Sequence, residues 1–267
     1  MDWSKTKTIF IIVFFILDIF LFVQFLDKRH ASQLNMTKDA SIEEKLKDNG
    51  IQYVELPSEN TKGKYLTAKS KNFSDVNLEE LPNQSITIQN GTTLLSIFDE
   101  PISVKENMEQ EMIHTFLKTY VYQGGQYRFW KWDQEQNRLI FYQEYNQKLF
   151  FKNVNGRLIV NLNDQNQIIG YEQTLLEDIQ ELANENILPA IRAIETIHQQ
   201  GLIKADSKIT KVELGYYTLV QLTESQVLTP TWHFVIEQGD TKKVEDIFVN
   251  AIEGQVFQVS EKQGIME

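Results

Sequence analysis

The residue types that carry out chemistry are sparse in this chain, and none stands in a recognised catalytic pattern. Ser4 and Lys7 have the S-x-x-K spacing in which a lysine activates a serine nucleophile, but no companion motif follows them. The sequence contains no G-x-S-x-G elbow, glycine-rich phosphate loop or H-E-x-x-H pair. We therefore predict that the protein is not an enzyme and binds no cofactor.

Metal ligands are equally scarce. The sequence has no cysteine, which excludes disulfides, thiol catalysis and cysteine-based metal sites. Neighbouring carboxylates such as Glu43 and Glu44 lie at predicted helix starts or in loops, where they favour the helix dipole and solubility. The histidines fall in a stalk, two separate helices and a strand, without ligand spacing, so no metal site is predicted. They are His30, His114, His198 and His233.

Asp18 is the most informative polar residue, because it interrupts a long apolar segment. Only Asp18 and Gln24 are polar among residues 9–26. A carboxylate near the centre of a membrane helix costs roughly 2.5–3.5 kcal/mol on insertion scales, unless protonation or a partner helix satisfies it. Both explanations stay open, and we favour helix–helix recognition. The predicted partner-helix contact comprises Asp18 and its same-side neighbours Phe14, Phe15, Leu21 and Phe22.

The apolar segment is long enough to cross a membrane. A helix over residues 9–26 would be roughly 27 Å long, close to the ~30 Å hydrocarbon core of a bilayer. A cleaved signal peptide is the alternative, but residues 27–30 are charged and offer no small-residue cleavage site. Lys5 and Lys7 favour a cytoplasmic N-terminus. We predict a cytoplasmic segment 1–8, a single transmembrane helix and an extracytoplasmic remainder, located in the cell membrane.

The remainder has the composition of an acidic, water-soluble protein. The chain of 267 residues carries a net charge of −11, of which residues 1–30 contribute +1 and the rest −12. An acidic surface binds nucleic acid poorly, so nucleic acid is not an expected partner. A large extracytoplasmic domain without disulfides is more typical of a bacterium than of a eukaryotic secretory pathway.

Apolar periodicity predicts an α+β fold with two lobes, each a helix followed by antiparallel strands. Residues 27–40 form a polar stalk, and residues 41–174 form the first lobe. A capping box at Ser41 opens a short helix that ends at Gly50, and a second capping box at Ser103 opens a longer helix. The predicted apolar stripe of this longer helix is Val104, Met108, Met112, Phe116 and Tyr120, with Ile113, Leu117 and Val121 beside them. The strands predicted in this lobe are 51–56, 64–68, 85–89, 92–98, 127–133, 138–145, 148–154, 157–162 and 167–174.

Turn residues connect these elements. Asn90-Gly91 and Asn155-Gly156 each predict a tight hairpin turn, because both turn positions need a positive φ. Gly124-Gly125 is predicted to end the second helix.

The second lobe, residues 175–267, repeats the plan. Residues 175–182 are predicted as a connector, with a helix as an open alternative. A helix follows over about residues 188–200, with Pro189 in its first turn and Gly201 at its end. Its predicted buried stripe is Ile187, Ile191, Ile194 and Ile197, and the predicted strands are 208–221, 227–237, 243–249 and 255–259.

Aromatic side chains crowd residues 120–151. A sheet core explains them, since aromatic residues favour strands. Residues 127–132, with aromatic residues on both faces of one strand, also fit a protein-binding surface.

Both ends of the chain resemble the YycI (WalI) family of low-GC Gram-positive bacteria. At the N-terminus the resemblance lies in Met1-Asp-Trp-Ser4, Lys7-Thr-Ile-Phe10 and Leu17-Asp-Ile-Phe-Leu21. The second lobe adds Leu214-Gly-Tyr-Tyr217 and Leu228-Thr-Pro-Thr-Trp232, which are similar to the sequence around the last sheet of YycH/YycI proteins. The region from 234 to 257 also resembles the PepSY-like helix-plus-sheet pattern.

This resemblance implies a non-enzymatic accessory protein with one membrane helix and an extracytoplasmic domain whose second lobe is PepSY-like. Members of the family associate with the sister protein YycH and with the sensor histidine kinase of the cell-wall two-component system, through contacts that include membrane helices. The expected partners are a YycH-like membrane protein, the kinase and the membrane. The first alternative is an envelope ligand-binding or protease-modulating PepSY-like protein. The second, a tethered wall hydrolase, lacks catalytic motifs.

Overall fold

A computed structural model describes residues 7, 10–11, 13–22, 39–57, 62–78, 81–103, 110–220 and 225–257 of the chain. Residues 1–51 and 52–267 form two compact units. The described residues between 7 and 22 are helical, and residues 23–38, with most of the predicted stalk, lie outside the described part. The first unit also contains helix α1 (Asp39–Asp48).

Helix α1 begins earlier than the capping box predicts. Ser41 lies inside the helix, after the helix former Ala40, so its prediction as the N-cap is wrong. The C-terminal end is confirmed. Gly50 has a φ of 69°, its N–H donates to the Lys47 carbonyl oxygen at 2.9 Å, and the Ile51 N–H donates to that of Leu46 at 2.9 Å. This pair of hydrogen bonds around a left-handed glycine satisfies the last carbonyls of the helix.

Sheet 2, as we call the sheet formed by residues 84–173, is antiparallel, with order β3-β4-β9-β8-β6-β5 and β7 paired to β6. The Asn90-Gly91 turn joins its first two strands, and both residues have a positive φ, as predicted. Its strands are β3 (Gln84–Gln89), β4 (Thr93–Ser103), β5 (Tyr127–Asp133), β6 (Arg138–Tyr145), β7 (Lys148–Leu149), β8 (Arg157–Leu162) and β9 (Gln167–Gln173).

Sheet 1, as we call the other sheet, comes from the residues on both sides of sheet 2. Its strands are β1 (Gln52–Tyr53), β2 (Lys62–Ser70), β10 (Leu176–Asn186), β11 (Lys208–Tyr217), β12 (Ser225–Glu237), β13 (Val244–Asn250) and β14 (Val256–Phe257). Their order is β1-β11-β12-β13-β14, while β2 pairs with the start of β12 and with β10. The pairing of β1 with β11 is parallel, and the other strand pairs are antiparallel.

The chain therefore leaves sheet 1 after β2, builds sheet 2, and returns to sheet 1 at β10. Strands β1 and β2 precede the predicted lobe boundary at residues 174 and 175 but pair with strands that follow it. The two-lobe division stays a prediction, whereas the α+β fold class is what the structure has.

Helix α2 (Gln110–Tyr120) covers one face of sheet 2. Phe116 and Tyr120 contact Phe98 of β4 edge-to-face, with ring centroids 6.1 and 5.5 Å apart. The predicted apolar stripe is confirmed in part. Phe116, Leu117 and Val121 are buried in the core of this sheet, whereas Met112, Ile113 and Tyr120 are half-buried. Val104 and Met108 of the predicted stripe lie outside the described residues.

Helix α3 (Ala190–Gln199) begins after Pro189, and Gly201, which has a φ of 70°, follows its last turn. The Gly201 and Leu202 N–H groups donate to the carbonyl oxygens of His198 and Ile197, the same closure as in α1. The chain before the helix is fixed to sheet 1, because the Trp232 indole N–H donates to the Leu188 carbonyl oxygen at 2.7 Å. The predicted stripe is confirmed, since Ile187, Ile191, Ile194 and Ile197 are all buried.

Two predicted elements are wrong. The connector over residues 175–182, with its helical alternative, is strand β10, which pairs with β2 through bulges and through ion pairs such as Lys71–Glu177 at 2.7 Å. Asn155-Gly156 is not a hairpin turn. It lies in a 3₁₀ turn in which the Asn155 N–H donates to the Asn153 side chain at 2.9 Å. At this position the hydrogen bond from the backbone to the Asn153 side chain stabilises the turn, so no residue needs a positive φ.

Most of the aromatic cluster is core. Tyr127, Phe141, Tyr142, Phe150 and Phe151 are buried, which confirms the core interpretation for these residues. Phe129 in β5 is 40% exposed, so the alternative of a protein-binding surface rests on much less area than the sequence suggested.

The Gly124-Gly125 pair provides a test of the end of α2. The helix ends at Tyr120, and Gln123, rather than a glycine, adopts the left-handed conformation. A Cβ at Gly124 would overlap the Leu117 carbonyl oxygen, whereas a Cβ at Gly125 would meet nothing within 4 Å. We expect Gly124→Ala to lower the free energy of unfolding by about 2 kcal/mol.

The control is Gly125→Ala, which should stay within about 0.5 kcal/mol of the wild type. Urea unfolding followed by tryptophan fluorescence measures both. Equal stability of the two variants would contradict the close approach of the chain at Gly124.

Candidate functional site

Sheet 1 places an ionisable triad on one face, at the centre of its longest strand. His233 of β12 lies directly opposite Glu213 of β11, and Asp246 of β13 lies opposite Val235, two residues further along. Because side chains two residues apart share a face, the register brings all three together. The His233 Nδ1 atom lies 3.2 Å from Glu213 Oε1, and Nε2 lies 2.7 Å from Asp246 Oδ1.

Aromatic rings from both sheets enclose the imidazole. Phe248 of β13 stacks on it with a centroid distance of 4.8 Å and an interplanar angle of 12°. From sheet 2, Trp130 and Phe151 approach to 5.0 and 5.1 Å. The His233 side chain is only 1% exposed. The ring therefore lies at the contact between the sheets, away from solvent.

Cations from both sheets reach the two carboxylates. Lys211 of sheet 1 lies 2.8 Å from Glu213 Oε1, and Arg128 of sheet 2 lies 3.2 Å from Glu213 Oε2. Arg128 also pairs with Glu144 at 3.3 Å. Lys152, in the segment after β7, lies 4.0 Å from Asp246. Through these pairs the triad of sheet 1 is connected to sheet 2.

Backbone contacts complete the connection between the sheets. The Phe151 N–H donates to the Tyr216 carbonyl oxygen at 2.7 Å, and Phe150 forms an isolated parallel bridge with Tyr216. Gly215 of β11 gives the Phe151 ring its room, since a Cβ there would lie 2.5 Å from two ring carbons. The segment after β7 is thus fixed against β11 next to the triad.

The geometry defines the charge states that suit the triad. A neutral imidazole donates from one nitrogen only, whereas both His233 nitrogens face carboxylate oxygens, so the imidazolium form satisfies both contacts. Burial raises the pKa of Glu213, but the hydrogen bonds from His233 and Lys211 outweigh it and lower the pKa to about 2. Burial also raises the pKa of Asp246, but the hydrogen bond from His233 and the nearby positive charges outweigh it, so this pKa is lowered as well.

This arrangement is suited to holding the sheets together rather than to catalysis. Both ring nitrogens are occupied by carboxylates, so His233 faces no nucleophile that it could activate. Its burial also keeps substrates away from the ring. In the described part of the chain, no group of three or more His, Cys, Asp or Glu residues could hold a metal ion.

The residues predicted to contact a partner helix belong to the other unit. Phe14, Phe15, Asp18, Leu21 and Phe22 lie in its helix and are all exposed. The large apolar residues described between 10 and 22 are 46–69% exposed. Within the residues that the structure describes, no helix combines the length and the apolar character that a membrane crossing requires.

Sequence reasoning did not find the triad. His233 was assigned to a strand without a partner, and the other histidines remain separate: His114 is exposed on α2, His198 is half-buried on α3, and His30 lies outside the described residues. A usable signal did exist. Glu213 and Asp246 lie in the two strands that flank the one carrying His233, and all three residues stand next to apolar residues of their strands.

Comparisons with known proteins give one family. A family model described as YycI protein matches residues 30–252. A search of curated proteins finds no match. Among solved structures, an uncharacterized protein from Eubacterium rectale ATCC 33656 is 12% identical, with a TM-score of 0.46 over 79% of this chain and 90% of that one. The Bacillus megaterium YpeB C-terminal domain is 12% identical, with a TM-score of 0.43 over 85% of this chain and 97% of that one.

The lowered pKa of Glu213 predicts acid-dependent stability. Because the pKa falls from an ordinary 4.5 to about 2 on folding, the stabilisation is complete above pH 4.5 and is lost as the pH falls toward 2. We expect this loss to be on the order of 2 kcal/mol, less than the full shift because solvent partly screens the carboxylate. Urea unfolding at a series of pH values measures it.

In Glu213→Gln this part of the pH dependence should disappear, while the exposed Glu135→Gln should keep it. The same acid slope in Glu213→Gln and wild type would show that Glu213 does not carry the acid-dependent stability.

Proposed function

The chain belongs to the YycI family, whose members regulate the YycG/WalK two-component system, and we propose that it is a membrane-anchored, non-enzymatic accessory protein of the sensor histidine kinase. The match of the family model to residues 30–252 carries this proposal, because it covers most of both described sheets. A YycH-like membrane protein is the second proposed partner.

The N-terminal helix supports the proposed anchor. Its described residues from 10 to 22 are all exposed, and all of them except Asp18 are apolar. Such a surface is unfavourable in water and favourable in a bilayer or against other apolar helices. Lys5 and Lys7, which precede the apolar segment, favour a cytoplasmic N-terminus, with residues 27–267 outside the cytoplasm.

Asp18 supplies the proposed specificity within the membrane. Phe14 and Phe15 lie one turn before it and Leu21 and Phe22 one turn after it, so bulky side chains surround a single carboxylate on one side of the helix. In lipid, a hydrogen bond to a partner helix would relieve the cost of the carboxylate. We propose that kinase or YycH-like helices provide that partner, and that kinase activity is modulated partly through this contact.

The body of the protein is proposed to act without chemistry of its own. The one buried ionisable triad holds two sheets in contact and offers no accessible nucleophile or base. For the second lobe we propose the PepSY-like plan, which is supported by the order of α3 followed by antiparallel strands β11 to β14.

The anchor predicts a topology that protease can test. The mature chain should retain the apolar segment 9–26, because no cleavage site follows it. Protease added to intact protoplasts should digest the C-terminal domain while the N-terminus stays protected. A mature chain that begins near Ala31 would rule out the anchor.

Substitution of Asp18 tests recognition in the membrane. Asp18→Leu replaces a costly residue by an apolar one, so insertion should be unchanged or improved. Association with the kinase or the YycH-like protein should weaken by about 1 kcal/mol, the usual scale of a polar contact between membrane helices. Co-purification from membranes and expression of a wall-stress reporter measure the effect.

The matched control is Phe20→Leu, two residues along the helix and therefore nearly on its opposite side. It should leave co-purification unchanged. Wild-type behaviour of Asp18→Leu in both assays would show that recognition lies elsewhere, in the residues that follow the anchor.

A further inference from the structure

The triad of sheet 1 is also one of the places where sheet 2 contacts sheet 1, which suggests a regulatory role for it. Glu213 binds His233 with one carboxylate oxygen and Arg128 of sheet 2 with the other. The His233 ring stacks against Trp130 of sheet 2. A change in the charge of the His233 ring therefore acts at once on the Glu213–Arg128 pair and on the stacking with Trp130.

We propose that His233 is a proton-dependent latch between the two sheets. With a proton on both ring nitrogens, it binds Glu213 and Asp246 together and keeps sheet 2 in place. With a proton on one nitrogen only, it releases Glu213 and loosens the contact between the sheets. This inference is independent of the membrane anchor and of its partner helices.

The two distances indicate which carboxylate is released. Nε2 lies 2.7 Å from Asp246, whereas Nδ1 lies 3.2 Å from Glu213, so the proton that remains is expected on Nε2. The Nδ1 lone pair then faces Glu213 Oε1, and the two atoms repel each other. Lys211, half-exposed and 2.8 Å from the same oxygen, already pairs with Glu213 and stays its partner on sheet 1 when His233 releases it. A carboxylate that turns toward Lys211 weakens its bond to Arg128.

The aromatic contacts work in the same direction. An imidazolium is attracted to the faces of the surrounding rings, as other cations are, and a neutral imidazole is not. Trp130 and Phe151 of sheet 2 would lose this attraction together.

Charged and titratable groups face the triad from every strand packed against it. Each of the two carboxylates also pairs with a cation, Glu213 with Arg128 and Lys211, and Asp246 with Lys152. The imidazole therefore lies at the centre of a group of fixed charges. These groups are Arg128 and Lys131 of β5, Tyr142 and Glu144 of β6, Lys152 after β7, Lys211 and Glu213 of β11, and Asp246 of β13.

Two measurements on the full chain in detergent test the latch. Nitrogen NMR of ¹⁵N-histidine-labelled protein reports whether His233 carries one or two ring protons between about pH 5 and 9. Hydrogen exchange of the Phe151 amide, which donates across the sheets to Tyr216, reports the contact between the sheets. After correction for intrinsic exchange, Phe151 protection should fall about tenfold as the ring loses its second proton, with the same midpoint.

In His233→Gln the hydrogen-exchange protection of the Phe151 amide should no longer change with pH. The control is His198→Gln, at a half-buried histidine of α3, which should behave like the wild type. If His233→Gln does not fold, the coincidence of the two midpoints in the wild type decides the matter. Protection that stays constant while the ring titrates would overturn the latch, as would a ring that keeps one protonation state throughout. A change that persists in folded His233→Gln would overturn it as well.

Discussion

The contact between the two sheets depends on an imidazole buried between two carboxylates. Charges removed from water are costly unless each has a well-placed partner, and a triad with one partner missing is worse than none. The surrounding structure meets that demand from both sides. Strand register places Glu213 and Asp246 at the ring nitrogens, while Arg128 and Lys152 arrive from sheet 2. The aromatic rings that exclude water there also form the apolar part of the contact.

A regulator without catalytic groups acts through surfaces and through the populations of its conformations. This chain separates those tasks along its length. The N-terminal helix exposes apolar residues and one carboxylate, and the two-sheet body contains the buried triad. The family relationship gives both features a common context, the regulation of a two-component system.

Local chemistry made part of this fold predictable. Gly50, Gly201 and the Asn90-Gly91 turn have the left-handed conformations that their sequence signals indicated. Strands β5, β6 and β8 were predicted at their observed bounds because each alternates or runs apolar between clear turns. These signals act over a few residues, and no partner elsewhere in the chain overrides them.

What could not be predicted depends on distant partners. The acidic sequence of β10 has helix-forming residues, but lysines of β2 pair with it across more than a hundred residues, as in Lys69–Asp178 at 3.3 Å. The triad needed the register of three strands and the approach of sheet 2. The contact residues predicted around Asp18 stay a prediction, since the proposed partner helix would belong to another protein.

The insertion of sheet 2 between β2 and β10 also orders the events of folding. As the chain is synthesised, every strand of sheet 2 emerges before most of sheet 1, so sheet 2 with α2 can form from neighbouring segments. Strand β2 stays unpaired until its partners β10 and β12 have been synthesised. Because these pairs join segments far apart in sequence, sheet 1 has the higher contact order and is expected to form more slowly. During that interval the half-built sheet is the part of the protein most exposed to misassociation, and the last strands of the chain complete it.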